Sequence, residues 1–162
     1  MQLSSILSLD CTKSAVLCSS KKRAFEIISE IAAKKLEQNS QKLFEALLTR
    51  EKMGSTGIGS GIAIPHGRIQ GSNQAVGVFL QCEEPIEYGA IDNQPVDLIF
   101  ALLVPEELCQ QHISTLAHIA EQLQNKQKCR QLRHAESDQA LYDLIVKYSE
   151  QTEGCINGTE NS

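Results

Sequence analysis

Apolar residues recur at helical spacing in two segments of the first third of the chain. The first predicted helix follows Ser19 or Ser20, either of which can cap it, and carries Ala24, Ile27, Ile28, Ile31 and Ala32 on one side. The second follows Ser40 as its expected cap, ends near Arg50, and carries Leu43, Phe44, Leu47 and Leu48. Single apolar stripes of this kind are typical of helices that pack on one side against a core.

The middle of the chain changes to short apolar runs that predict strands. Residues 62–64 and 75–81 are two such runs, and they flank a more polar loop. Residues 98–104 are continuously apolar, which predicts a strand buried on both faces in the middle of a helix-covered sheet. Pro105 is expected to end that strand.

Helical spacing returns in the last third of the chain. We predict a long helix over residues 106–124 and a last helix from about Ser137, with Leu141, Leu144, Ile145 and Tyr148 facing inward. Helices and strands therefore alternate, which indicates a layered α/β domain with its site at the loops that follow the strands.

The length and net charge of the chain limit the classes of protein to which it can belong. The chain has 162 residues and no internal repeat, so we expect one domain over residues 1–150. A net charge of −5 argues against general binding of nucleic acid, which needs a basic face. Beyond Lys147 only acidic charges follow, and residues 151–162 are predicted to form a disordered acidic tail.

The cysteine spacing and the first residues of the chain indicate the cellular compartment of the protein. The six cysteines include no CxxC pair and no Cys/His ligand spacing, so neither a metal site nor a disulfide framework is indicated. The first ten residues lack the features of a signal peptide, and residues 98–104, the longest apolar run, are too short to span a bilayer. We expect a cytoplasmic protein without membrane insertion.

The strongest chemical signal is the run GSTGIGSGIAIPHGR over residues 54–68. Its glycines leave backbone N–H groups unobstructed, and Pro65 holds the chain extended before His66. A neutral imidazole is a competent nucleophile near pH 7, so this combination suits phosphoryl chemistry. The alternative is a turn histidine with no role. Nucleotide-binding motifs do not fit, because the P-loop ending and the GxGxxG spacing are both missing.

Two further residues are candidates for the same site. Arg50 either complements the dipole of its helix or, if the loop folds back, lies beside His66, keeps it unprotonated and attracts phosphate. His112 shares the apolar side of its helix, so it is either a core residue or one that reaches a pocket, and periodicity alone favours the core. His118 is expected to face solvent, and His134 lies in a polar stretch.

The segment TREKMGSTGIGSGIAIPHGR, residues 49–68, resembles the active-site signature of the EIIA domains of the bacterial phosphotransferase system, of the fructose/mannitol type. The segment AIDNQPVDLIFALLVP, residues 90–105, followed by His112, extends the resemblance over essentially the whole chain. The resemblance is greatest to the nitrogen-regulatory branch. It implies an α/β sandwich with a central mixed sheet flanked by helices.

This resemblance also implies roles and partners. His66 would accept phosphate at Nε2 from an HPr-like phosphohistidine protein, and His112 and Arg50 would assist, which reverses the periodicity argument for His112. Ser55, Thr56, Gly57 and Gly59 would form the supporting loop. No cofactor and no metal is implied.

Three functions stay open at this stage. A regulatory phosphocarrier would bind targets, such as sensor kinases or potassium transport regulators, according to its phosphorylation state. A sugar-transport EIIA would instead pass phosphate to an EIIB domain. A binding module would never be phosphorylated at His66. The nitrogen-regulatory resemblance favours the first.

Overall fold

A computed structural model describes residues 3–161, and the side chains of residues 3–150. The predicted acidic tail, residues 151–162, lies outside the residues whose side chains are described, and it stays a prediction. Six strands and five α-helices, with three short 3₁₀ turns, make up the described chain. The strands are β1 (Thr12–Val16), β2 (Gly57–Gly59), β3 (Ile62–Ala63), β4 (His66–Ile69), β5 (Val76–Ile86) and β6 (Val96–Pro105). The helices are α1 (Lys21–Leu36), α2 (Ser40–Glu51), α3 (Cys109–Gln122), α4 (Lys126–His134) and α5 (Asp138–Asn161).

The strands form one mixed sheet in the order β1-β5-β6-β3-β2, with β4 also paired to β6. β5 and β6 are antiparallel, whereas β1 runs parallel to β5, and β3 and β4 run parallel to β6. Every residue of β6 except Asp97 is buried, so the apolar run lies in the middle of a covered sheet. The predicted α/β sandwich with a central mixed sheet is confirmed.

The helices cover this sheet and align the site. α1 and α2 pack on each other and on β5 and β4, while α5 contacts β1 and α3 contacts β6. Phe79 on β5 and Phe100 on β6 are fully buried, with ring centroids 5.8 Å apart, and they anchor the centre of the core. Aromatic pairs at this spacing add about 0.5–1.5 kcal/mol beyond their area of burial.

The caps and starting points of three helices confirm some expectations and correct others. Ser20 caps α1 by accepting a hydrogen bond from the backbone N–H of Arg23. The cap of α2 is Asn39 and not Ser40, because the Asn39 backbone is extended and its side chain accepts from Gln41 N at 2.7 Å. The predicted helix over residues 106–124 is divided: a 3₁₀ turn over Glu106–Leu108 precedes α3.

Three elements carry too few apolar residues to be predicted from the pattern. β1 is only partly buried, and α4 buries only Cys129 and Leu132. β4 begins at His66, which was expected to stand in a turn. These short elements gain their stability from pairing and packing with neighbours that are distant in sequence.

Candidate active site

Two elements bring Arg50 and His66 together. Arg50 lies in the last turn of α2 and His66 begins β4, and these elements pack against each other. Gly67 permits their close approach, since a Cβ at this position would lie 2.9 Å from the carbonyl carbon of Ala46 on α2. A larger residue at position 67 would therefore push β4 and its histidine away from the helix.

The two ring nitrogens of His66 have different partners. Nδ1 lies 3.0 Å from the carbonyl oxygen of Ile64, so it carries the proton and donates. Nε2 therefore has a free lone pair, and it accepts from Arg50 Nε at 3.2 Å. Arg50 Nη1 donates in turn to the carbonyl oxygen of Gly54 at 2.8 Å. The geometry thus leaves Nε2 as the ring nitrogen with a lone pair and places the Arg50 cation beside it, which is the arrangement expected if the loop folds back.

The surroundings of both candidate histidines favour neutral imidazole. The pKa of His66 lies below its ordinary value, chiefly because of burial and in part because of the Arg50 charge, although the bond to Ile64 opposes the shift. Burial also lowers the pKa of His112. Both imidazoles are therefore mainly unprotonated at neutral pH.

These lowered pKa values predict a loss of stability in mild acid. The unfolded chain takes up protons near the ordinary histidine pKa of about 6.5, whereas folded His66 resists them, so the free energy of unfolding should fall as the pH drops below that value. Urea unfolding between about pH 7.5 and 5.5 measures this loss. A His66→Gln variant should lose less over the same interval; an equal loss would contradict the assignment.

A pocket of about 660 Å³ opens beside these side chains. Arg50, His66 and His112 all line it, and Leu102 and Leu116 are among its apolar residues. Arg68 also borders it and is exposed. The three residues that the sequence singled out are thus brought to one cavity.

His112 is a buried polar residue in this lining. It is 3% exposed, and its Nδ1 is buried without a hydrogen-bond partner among the described residues. Buried polar atoms normally have partners, so an unsatisfied nitrogen in a pocket wall is suited to a polar ligand group. The structure therefore favours the pocket alternative over a plain core histidine.

The glycine loop does not line this pocket. Ser55, Thr56, Gly57 and Gly59 are all absent from the lining. Two backbone donors of the loop are used internally: Thr56 N donates to Glu51, and Gly57 N donates to the hydroxyl of Ser55. Gly57 instead allows close packing, because a Cβ there would lie 2.6 Å from that of Ala90. The loop therefore acts outside the pocket lining, through packing and internal hydrogen bonds.

A buried polar network that sequence reasoning missed holds the loop in place. The Glu51 carboxylate accepts from Thr56 N at 3.0 Å, from Thr56 Oγ1 at 2.6 Å and from Lys21 Nζ at 3.1 Å. Tyr88 completes it with a hydroxyl 2.7 Å from Thr56 Oγ1, and burial raises the pKa of Tyr88 well above its ordinary value. No local signal distinguishes Glu51 from an exposed glutamate at a helix end.

This network is continuous with His66. The carbonyl oxygen of Thr56 accepts from Ile64 N at 2.9 Å, and the carbonyl oxygen of Ile64 accepts from His66 Nδ1. Glu51 thus fixes Thr56, Thr56 fixes Ile64, and Ile64 orients the imidazole. Hydrogen-bonded supports of this kind hold a reactive ring in one orientation.

The remaining histidines lie elsewhere. His118 is half-buried, and its Nε2 has no partner in the described region, so the expectation that it faces solvent is wrong: α3 packs more of its surface than the apolar stripe indicated. His134 is exposed. Within the described side chains, no group of three or more His, Cys, Asp or Glu is arranged to hold a metal ion.

Comparison with known proteins identifies the family. The model of the family described as "Phosphoenolpyruvate-dependent sugar phosphotransferase system, EIIA 2" matches residues 5–148. The chain belongs to this EIIA family. Domains of the family are phosphocarriers, which pass phosphate between carrier proteins and partners.

Individual EIIA relatives are similar over most of their length. A nitrogen regulatory protein of Klebsiella oxytoca is 59% identical over 148 residues, which are 91% of each chain. One of Escherichia coli K12 is 59% identical over 147 residues, 90% of each chain. The crystal structure of nitrogen regulatory protein IIA-Ntr from Neisseria meningitidis has a TM-score of 0.80 and 37% identity, and covers 86% of this chain and 96% of that one. No described helix of this EIIA chain is both long and apolar enough to cross a membrane.

Proposed function

We propose that this EIIA domain is a regulatory phosphocarrier, which accepts a phosphoryl group at His66 Nε2 from an HPr-like phosphohistidine protein and binds its targets according to that state. The observation that carries this proposal is the His66 ring, whose Nδ1 is held by Ile64 while Nε2 points to Arg50. The nitrogen regulatory relatives support the regulatory part of the proposal. Sensor kinases and potassium transport regulators are candidate targets in the cytoplasm.

The chemistry is an in-line exchange between two imidazoles. The donor's P–N bond breaks as the lone pair of His66 Nε2 forms a new one. A donor ring that carries a proton on its other nitrogen leaves as neutral imidazole, and His66, which keeps its Nδ1 proton, becomes the phosphorylated imidazolium, so the transfer needs no base. The Nε–H of Arg50 exchanges its bond to Nε2 for bonds to phosphoryl oxygens. His112, which lines the same pocket, would donate or accept a hydrogen bond with the same group.

The rim of the pocket suits a protein donor rather than a small substrate. Met53 is 76% exposed and Ile113 is 54% exposed, and both border the cavity that contains His66. Exposed apolar side chains around a reactive residue are typical of protein contact surfaces, and flexible methionine adapts to more than one partner. Donor and target would then bind the same face in turn.

Phosphorylation in vitro tests the proposal. The protein is incubated with phosphoenolpyruvate, the first enzyme of the phosphotransferase chain and an HPr-like carrier. We expect a mass increase of one phosphoryl group that is lost in acid, as phosphohistidine is. A protein that stays unmodified under conditions that load the carrier would support a plain binding module instead.

An Arg50→Ala variant tests the electrostatic part of the mechanism. We expect phosphoryl transfer to slow about 100-fold, because the pocket loses the cation that stabilises the transferring group. Rapid-quench measurement of the transfer rate checks this, with Arg23→Ala on the exposed side of α1 as the matched control. A rate equal to that of the parent protein would remove Arg50 from the mechanism.

A sugar-transport function is the alternative, since the family description itself names sugar phosphotransfer. Phosphorylated protein is mixed with candidate EIIB domains, and the loss of label from His66 is followed. Rapid transfer to a sugar-specific EIIB would favour transport. Retention of the label, together with targets captured by only one phosphorylation state, would favour regulation.

A further inference from the structure

Two thiols meet at the edge of the sheet, away from the pocket. The sulfur of Cys18 lies 3.7 Å from that of Cys82, and both cysteines are free. Cys82 is a β5 residue that is 6% exposed, whereas Cys18 is half-buried and follows β1 by two residues. They belong to segments that are 64 positions apart in sequence, so the contact is a product of the fold.

Backbone structure brings the two sulfurs together. β1 pairs with β5 through an irregular register in which Val16 is opposite Cys82. Ala15, within this irregularity, has a φ of 49°, and its N–H donates to the Gln81 side chain at 2.9 Å. The strand end that precedes Cys18 by two residues is therefore held on β5 by strand pairing and by this hydrogen bond.

We propose that Cys18 and Cys82 are a modification site, at which a hydroperoxide forms a reversible intramolecular disulfide. In the first step the Cys18 sulfur forms a bond to one peroxide oxygen as the O–O bond breaks. The other peroxide oxygen takes up a proton and leaves as an alcohol or water, and Cys18 becomes a sulfenic acid. In the second step the Cys82 sulfur forms the S–S bond, and its proton leaves with the sulfenic hydroxyl as water. The peroxide is reduced by two electrons and the two thiols are oxidised by two.

Accessibility assigns the order of these steps. Cys18 lies between Leu17, which is 76% exposed, and exposed Ser19, so a small peroxide reaches it from solvent. Cys82 is 6% exposed, so a peroxide in solvent reaches it less readily than it reaches Cys18. A disulfide needs about 2.05 Å between sulfurs, so the two sulfurs must move closer by about 1.65 Å from the observed 3.7 Å.

The disulfide would change stability and leave the pocket intact. It encloses residues 18–82, which contain α1, α2 and His66, and so restricts the unfolded chain. Gly77 of β5 is in register with Leu102, which is in register with His66. Cys82 lies five residues beyond Gly77 along β5, which corresponds to about 17 Å at the rise of a β-strand. The proposal therefore does not depend on phosphorylation of His66.

The test uses the full chain, reduced and then treated with hydrogen peroxide. Non-reducing peptide mapping should find residues 18 and 82 in one linked pair, with a mass loss of two hydrogens. Thermal unfolding should shift upward by about 5–10 °C and return after dithiothreitol. Cys18→Ser should abolish both changes, whereas Cys109→Ser, another half-buried thiol, should keep them.

Other outcomes would overturn the proposal. These are linkage of Cys18 to another cysteine, including Cys155, oxidation of Cys18 to sulfinic acid with Cys82 still alkylatable after unfolding, and no reaction at peroxide levels that oxidise a free thiol. Should Cys18→Ser fold poorly, Cys82→Ala removes the second sulfur instead. It should leave Cys18 as a sulfenic acid that a dimedone probe captures, and a thermal shift that persisted in it would also count against the disulfide.

Discussion

A His66→Ala variant is expected to accept no phosphoryl group from an HPr-like carrier. In the parent protein, the bond from Nδ1 to Ile64 leaves Nε2 as the available nucleophile beside Arg50. Alanine removes that nitrogen and no neighbouring group replaces it, because the guanidinium of Arg50 stays protonated and His112 is only 3% exposed in the pocket wall. Mass spectrometry of the intact protein under non-acidic conditions measures the result.

His134→Ala is the matched control for this loss. His134 is exposed at the end of α4 and outside the pocket lining, so its removal should leave the phosphorylated fraction unchanged. Far-ultraviolet circular dichroism should show both variants folded. An acid-labile phosphoryl group on the His66→Ala protein, at the parent level, would mean that another histidine is the acceptor.

Replacing Glu51 with alanine should lower the free energy of unfolding by about 3 kcal/mol. The Glu51 side chain is only 4% exposed, and its removal leaves Lys21 without its anion and the N–H and hydroxyl of buried Thr56 without an acceptor. Breaking a buried ion pair costs about 3–5 kcal/mol, and the partial exposure of Lys21 places this pair at the lower end. Urea unfolding at neutral pH measures the change.

Two further variants show how much of this loss of stability comes from the charge of Glu51 and how much from its buried position. Glu45→Ala removes an exposed glutamate from the same helix and should change stability by no more than about 0.5 kcal/mol. Glu51→Gln keeps a hydrogen-bond acceptor for Thr56 but loses the charge, so it should lie between the other two. Equal stability of Glu51→Ala and Glu45→Ala would contradict the buried network.

The resemblance and the pattern together predicted most of the fold, for reasons that differ between elements. β6 was predictable because seven consecutive apolar residues leave no polar face, and α1 because its stripe and Ser20 cap are local features. α4 and β1 were not, since each owes its place to contacts with α5 or β5 that local propensity does not encode. Local signals were thus sufficient for β6 and α1, but not for elements that depend on distant contacts.

For the candidate site too, the sequence predicted some features and not others. His66 was predicted from neighbouring residues, as Pro65 and Gly67 act on the backbone beside it. The position of the glycine loop differed from expectation, because it does not line the pocket and two of its N–H donors are bound inside the protein to Glu51 and Ser55. Nothing along the chain distinguished Glu51 from an exposed glutamate.

By itself, the sequence determined the alternation of helix and strand, the buried central strand, and the position of an accessible imidazole after an extended segment, because these depend on spacing and on backbone restriction within a few residues. Only the tertiary structure decided that Arg50 lies on His66 Nε2, that His112 faces the same cavity, and that Cys18 meets Cys82. Each of these contacts joins residues on different elements, and its distance is set by how helices and strands pack rather than by any local preference.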